Sequence, residues 1–436
     1  MTQHVVIVGG GFGGLQAAKQ LKDAPVQVTL IDRRNHHLFQ PLLYQVATGE
    51  LSPADIASSL RSLLKHQKNA RVVLGEVVDF DVANRRIILT DGALSYDTLI
   101  VAAGAVNHYF GNDQWAQWAP SLKNVEDAAN IRRQILMAFE AAERAGDPEV
   151  ARSWLTFVII GGGPTGVELA GALSEVARET LKREFRAINP ADARILLVQS
   201  GDRILPTYSP DLSAHAAEAL RQLGVEVITG ARVTDVQRKS VTLSYGERQE
   251  QIPARTVIWA AGVKASPLGK ALADATGAPV DRGGRVQVES DLTVRGHPEI
   301  FVIGDLANFS HQTGQPLPGV AQVAIQQGRY VGNLVKRRLQ GQTMPAFRYR
   351  DRGSVATIGR GAAVAEIGRV RFAGWLAWHL WLFIHLTFQP DAQNRVLVFV
   401  QWLWNFMTRS RSALLITAPL ADRPVRIFET GTMPRV

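Results

Sequence analysis

The sequence predicts an α/β fold with two Rossmann-like dinucleotide-binding domains and a C-terminal membrane-associating helical region. Three observations predict it. An apolar run, Val5–Val8, leads into Gly9-Gly10-Gly11-Phe12-Gly13-Gly14. A second, Phe157–Ile160, leads into Gly161-Gly162-Gly163-Pro164-Thr165-Gly166. Five of the nine Trp residues fall between positions 375 and 404.

Both turns carry G-x-G-x-x-G, as Gly9, Gly11 and Gly14, then Gly161, Gly163 and Gly166. The first Gly makes the tight turn, and the second lets the backbone approach a pyrophosphate. The third lets helix and strand pack closely, with the helix N-terminus facing the anion. Two such turns in one chain imply two bound dinucleotides, the arrangement that passes electrons from one to the other.

The elements follow in order. Residues 4–31 read as a βαβ unit, with strand 4–8, a helix facing inward through Leu15, Ala18 and Leu21, and strand Val26–Ile31. Asp32 ends that second strand, where a carboxylate accepts hydrogen bonds from ribose hydroxyls. A solvated turn acid is the alternative. Short strands follow at Val72–Leu74, Ile87–Leu89 and Thr98–Ala102, then a helix over 127–150. The second βαβ unit starts at Leu155, with a helix running to about Ile188 and a strand at Arg194–Gln199. Residues 224–262 alternate as strands, and Ile300–Asp305 is a strand delivering an acid at its end. Near the C-terminus, Gly374–Phe388 carries no Asp, Glu, Lys or Arg, and Val396–Met407 is apolar again. Both runs fall short of the ~20 apolar residues a spanning helix needs. With Arg369, Arg371, Arg409 and Arg411 flanking them, they suit helices lying in a membrane interface. A buried hairpin or a dimer contact would use the same residues. The last residues, 418–436, read as a strand or a loose tail.

Composition sets bounds. A chain of 436 residues has room for two or three domains. Its net charge of +9 suits anionic lipid or an anionic cofactor, and its basic residues are too dispersed for a nucleic-acid surface. Cysteine is absent, which excludes disulfides, Fe–S clusters and a redox dithiol relay. No metal site is expected. The start of the chain has no secretory-signal pattern, so a cytoplasmic folded body is expected.

The chain resembles the type II NADH:quinone oxidoreductases, single-chain FAD proteins bound to one face of a membrane. The resemblance runs from Val5 to about Ile416. It rests on Asn35–Gly49, the second Gly-rich turn through Glu168, Gly304-Asp305, the A-Q-x-A-x-Q segment Ala321–Gln326, and the Trp-rich tail. It implies an FAD-binding domain over 1–120 and 265–345, an NAD(P)H-binding domain over 150–264, and a membrane-anchoring and dimerisation region over 346–436. FAD, held non-covalently, would meet Gly9, Gly11, Phe12, Gly13, Gly14, Asp32, Arg33, Gln45, Ala103, Gly104, Gly304, Asp305, Ala321 and Gln322. The nicotinamide dinucleotide would meet Gly161, Gly163, Pro164, Thr165, Gly166, Glu168, Gln199, Arg203, Ala261 and Gly262.

Three residues are assigned to the chemistry. Gln322 and Gln326, one helical turn apart, would hydrogen-bond a quinone carbonyl; without the resemblance they read as a surface pair. Glu168 would either relay protons or order the site. Gln199 departs from NADH-selective relatives, which place an acid there. A neutral Gln, with Arg203 nearby to attract a 2′-phosphate, implies that NADPH is accepted as well as NADH. The implied partners are a membrane quinone, an anionic lipid surface through 370–411 and a second copy of the chain, with no nucleic acid. The implied place is the cytoplasmic face of a membrane. The roles of His36, His37, His379 and His385 stay open. Rival readings are an FAD-dependent reductase of a protein acceptor such as ferredoxin and a flavin-loaded, NAD-sensing interaction protein. Sulfide:quinone oxidoreductases work through cysteines that this chain lacks.

Overall fold

The computed structural model describes residues 2–417, so the tail at 418–436 lies outside the described residues. Two compact units emerge. The first comprises the chain up to Leu38, Ala57–Asn107 and Val263–Arg352. The second comprises Phe39–Ile56, His108–Gly262 and the chain from Gly353 onward.

The first unit is built on a six-stranded sheet. Gln3–Val8 lies at its centre, parallel to Val26–Asp32 on one side and Thr98–Val101 on the other. Ala70–Leu74 extends one side, and His297–Val302 with Thr293–Val294 extends the other. Val5, Val6 and Ile7 are each fully buried. Such continuous apolar runs belong to parallel strands covered on both faces. The helix Phe12–Gln20 packs against Ala321–Leu339. Their backbones come close because Gly13 and Gly328 meet at the crossing: a Cβ on Gly328 would lie 3.0 Å from the Gly13 carbonyl carbon.

The second unit holds a four-stranded parallel sheet ordered Val225–Ile228, Arg194–Val198, Thr156–Ile160 and Thr256–Trp259. Its Gly-rich turn opens the helix Pro164–Glu175. The antiparallel sheet Ser354–Gly359, Ala362–Ile367 and Val370–Ala373 belongs to this unit. Gly171 explains why: a side chain there would collide with the Ile358 carbonyl, so only Gly lets helix and strand backbones meet. The tail forms two helices, Gly374–Phe388 and Ala392–Thr408. No described helix is long and apolar enough to cross a membrane.

Four sequence expectations differ from this architecture. Residues 39–56 group with the second Rossmann unit rather than the first: Leu43–Ala47 packs against Val125–Glu143 and Pro164–Glu175, and the tail helices fasten to the segment as well. Gln389 and Asn394 donate to the carbonyls of Asp55 and Ala54, and Asn405 to that of Glu50, at 3.0–3.2 Å. The region from 353 onward joins that unit instead of standing apart, because Ser354–Gly359 packs on Pro164–Glu175 at Gly171. The helix over 127–150 is two, Val125–Glu143 and Pro148–Trp154, because Asp147 caps a new start through the Glu149 amide. The helix to Ile188 is regular only to Glu175 and closes with a wide π turn, Val176–Thr180. Beyond it, the Glu143 carboxylate accepts the amides of Arg186, Ala187 and Ile188 and holds the chain out of helical geometry.

A Cβ at Gly328 has only backbone to displace. Gly328→Ala is therefore expected to lower stability by roughly 2 kcal/mol, read as the denaturation midpoint. Gly146→Ala, where a Cβ meets nothing within 4 Å, should leave the midpoint in place.

Candidate functional site

Both Gly-rich turns are shaped for a phosphate. Gly9 and Gly161 sit at φ +105° and +113°, a conformation open to Gly alone, and each abuts the backbone of a neighbouring strand's end. Gly11 and Gly163 are the N-caps of their helices, and neither helix has a side-chain cap. A Cβ on either would meet nothing within 4 Å, so open space lies beside the uncapped amides. Such a cradle has the room and the uncapped amides that a pyrophosphate needs.

The middle glycine of each turn is clamped. In the first unit, Gly10 donates its amide to Asp32 Oδ2 at 2.6 Å, and its carbonyl accepts from His37 Nδ1 at 2.9 Å. The other Asp32 oxygen takes the Arg34 amide at 2.7 Å. In the second unit, Gly162 donates to Gln199 Oε1 at 2.9 Å, and its carbonyl accepts the Leu205 amide at 2.7 Å. Gln199 thus stands where Asp32 stands, with the same structural duty and no charge. Around the first turn lie Gly104 and Gly304, both at positive φ, and Gly304 donates to Gln327 Oε1 at 2.6 Å. Asp305 closes beside Gly319. Around the second, Ala260 and Ala261 back Gly161, while Gly262 packs under Phe110.

The second unit also contains a cavity enclosing about 690 Å³, its open mouth included. Glu168, Ala172, Glu175 and Glu179 form one wall, at spacings of four, three and four along the helix and its π turn. Trp378, Trp381, Trp402 and Phe406 from the tail helices form the facing wall. At its floor, Trp402 Nε1 donates to Gln45 Oε1 at 2.8 Å, and Gln45 Nε2 donates to the Tyr44 hydroxyl at 3.1 Å. Ion pairs border the cavity: Arg411 with Glu175 at 2.9 Å and Arg409 with Glu179 at 2.8 Å. Glu168 is buried, and burial holds its carboxyl well above the ordinary carboxylate range, with a Thr357 backbone hydrogen bond pulling weakly the other way. The Tyr44 hydroxyl is also pushed up, by burial first and then by Glu168. A carboxyl that keeps its proton beside an aromatic-walled cavity can give that proton to a ligand oxygen.

Comparison with known proteins places the chain. The pyridine nucleotide-disulphide oxidoreductase family matches residues 3–328, and the NDH2 C-terminal domain matches 352–411. The type II NADH:quinone oxidoreductase NdhA of Mycobacterium tuberculosis is 46% identical, over 96% of this chain and 90% of its own length. Its Ndh counterpart in the same organism is 45% identical, over 99% of this chain and 94% of its own. The chain belongs to the type II NADH:quinone oxidoreductases. The fold agrees with that of NDH2 from Plasmodium falciparum in complex with NADH, at TM-score 0.85, 22% identity and coverage of 93% and 98% of the two chains.

Within this type II NADH:quinone oxidoreductase, several side chains do other work than the sequence suggests. The Gln326 amide is spent on one residue, donating to the Arg350 carbonyl at 2.9 Å and accepting its amide at 3.0 Å. Gln322 accepts the Arg352 amide at 3.1 Å. The pair therefore pins residues 350–352 to its helix. Arg203 directs both terminal nitrogens at its own loop, to the carbonyls of Tyr208 and Pro206 at 2.6 and 2.9 Å, not outward to a phosphate. Arg33 makes an exposed 4.0 Å ion pair with Glu76. Gln45 lies in the second unit, beneath the cavity. Tyr44, Trp381 and Trp402 went unremarked as site residues. The available signal was the tail's i, i+3, i+4 spacing at 378, 381 and 382 and again at 402, 405 and 406.

Glu168 carries a pH signature. A carboxyl raised on folding binds more protons native than unfolded, so its contribution to stability declines as pH climbs above the ordinary glutamate value. Each unit of upward displacement costs about 1.4 kcal/mol once pH exceeds both values. Glu168→Gln removes that cost. Thermal unfolding of the variant should exceed wild type most at pH 8, with the gap closing toward pH 4.5.

Proposed function

We propose that this chain oxidises NADH and reduces a membrane quinone through FAD without pumping protons, with one dinucleotide held by each unit. The overall balance is NADH, a proton and quinone giving NAD⁺ and quinol. The observation that carries the reading is the buried Glu168, its carboxyl raised by that burial, on a cavity that reaches the tail helices.

FAD, when bound, supplies the centre that accepts two electrons from nicotinamide and passes them to quinone. The chain's own residues do the rest. Gly9, Gly11 and Gly14 with Asp32 hold the flavin dinucleotide non-covalently, and Gly161, Gly163 and Gly166 with Gln199 hold the nicotinamide one. Glu168 delivers a proton to the quinone oxygen, and the Tyr44–Gln45–Trp402 chain fixes the floor beside it. The tryptophans of the facing wall exclude water and accept the planar quinone ring.

We assign membrane attachment to the apolar face of the tail. Trp375, Phe383, Val396, Val400 and Trp404 are each more than half exposed there. That face suits the interfacial layer of a bilayer, next to a dimer contact. The arginines count for less than the sequence suggests, since Arg371, Arg409 and Arg411 are paired with Asp211, Glu179 and Glu175.

The deciding experiment is anaerobic. NADH should bleach the flavin band near ~450 nm, and a soluble quinone should restore it. Bleaching without restoration would overturn the reading in favour of a protein acceptor. Glu168→Gln should leave bleaching intact and slow restoration by about a hundredfold or more.

NADPH use is proposed on the neutral Gln199 alone, since Arg203 is occupied. NADH should be preferred over NADPH by less than about a hundredfold in kcat/KM, or 2.7 kcal/mol. Gln199→Glu should widen that preference while its carboxylate still accepts the Gly162 amide. A wild-type preference above a hundredfold would sink the idea.

A further inference from the structure

We propose that His37 is a positioning residue for the flavin dinucleotide, acting by fixing the direction in which the Gly11 amide points. The inference rests on the reading that the first Gly-rich turn holds FAD.

The argument starts from peptide planarity. In a trans peptide the carbonyl and the following N–H point in opposite directions. The Gly10 carbonyl and the Gly11 amide belong to one peptide unit. His37 Nδ1 holds that carbonyl at 2.9 Å. The Gly11 N–H is thereby turned the other way, at the uncapped helix N-terminus where a Cβ would meet nothing within 4 Å. A peptide flanked by glycines rotates cheaply, so its direction needs an outside hold.

The same hold exists in the second unit with a different part. There the Leu205 amide takes the Gly162 carbonyl at 2.7 Å, which turns the Gly163 amide the opposite way, at a helix N-terminus without a side-chain cap. In both turns the preceding peptide is fixed separately, by Asp32 and by Gln199. The two sites thus share one device, and only the first entrusts its carbonyl clamp to a side chain.

His37 is built for the task. It is 2% exposed, sits on a short strand paired His37 to Ser58, and has the Phe12 ring edge-on at 5.0 Å. A carbonyl can only accept, so Nδ1 carries the proton. Burial lowers the imidazole pKa to about 4, which keeps the ring neutral with that single donor.

The test is FAD affinity of the apo-protein, measured by titrating FAD back and following flavin fluorescence quenching, with far-ultraviolet dichroism as the folding check. Three variants are compared with wild type. His37→Phe keeps the ring and loses the donor. His37→Asn places Nδ2 near the position of Nδ1. Gly11→Val adds a side chain where the protein has room and a phosphate would not. The expected result is at least about tenfold weaker FAD for His37→Phe, equivalent to 1.4 kcal/mol, affinity within about threefold of wild type for His37→Asn, and loss of FAD in Gly11→Val. Equal losses in the Phe and Asn variants would reduce His37 to a packing role and overturn the proposal. Wild-type affinity in His37→Phe with loss in Gly11→Val would overturn it while leaving the FAD site in place. Wild-type affinity in both would overturn the FAD assignment itself.

Discussion

The molecule depends on the direction of a few backbone amides at two helix N-termini. A dinucleotide pyrophosphate is bound there by N–H groups whose orientation no side chain of their own can set. Glycine supplies the close approach and at the same time removes conformational preference. Each turn therefore needs restraint from outside, and each has it on both sides of its middle glycine. Asp32 and His37 provide it in one unit, Gln199 and Leu205 in the other. The parallel sheets exist, in this sense, to bring those restraints to the ends of the right strands.

A second constraint governs the cavity. Burying a carboxyl without a cationic partner costs less when it keeps its proton. Arg411 lines the same cavity, yet it is paired with Glu175 two helical turns from Glu168. Glu168 is left to meet the Thr357 backbone, in a wall otherwise completed by Ala172 and faced by indole rings. The outer carboxylates, Glu175 and Glu179, are ion-paired, while Glu168 is held well above the ordinary carboxylate range. The same helix thus carries two electrostatic regimes, separated by the depth of the cavity.

What could be read in the sequence was whatever depends on neighbours along the chain. The glycine spacing, the strands 4–8 and 156–160, and the two tail helices are local patterns, and the fold follows from them. Gln199 was legible as a departure from an acid, because position alone identifies it. Its actual duty, holding Gly162, depends on a fold contact 37 residues away. The contacts of Gln326 and Arg203 were hidden for a related reason: a side-chain amide or guanidinium satisfies whatever backbone lies within reach. Glu168 was visible as a candidate, but the burial that raises its carboxyl, and the Thr357 backbone hydrogen bond that opposes the rise, come from the fold and not from its neighbours along the chain. The grouping of 39–56 with the second unit was hidden likewise, since it rests on packing against helices far along the chain; the carbonyls that receive the tail leave no mark in a sequence either.

Those carbonyls have a consequence of their own. The tail reaches residues 48–55 through Arg411, Asn405, Asn394 and Gln389, and every acceptor on the other side is main chain. A main-chain oxygen survives any replacement of its residue. A substitution along that segment that keeps its backbone path leaves the docking points in place, while each donor in the tail stands or falls by its own codon. Inheritance of these hydrogen bonds is therefore lopsided: the acceptors leave no trace in the sequence, and the donors carry the record of the contact.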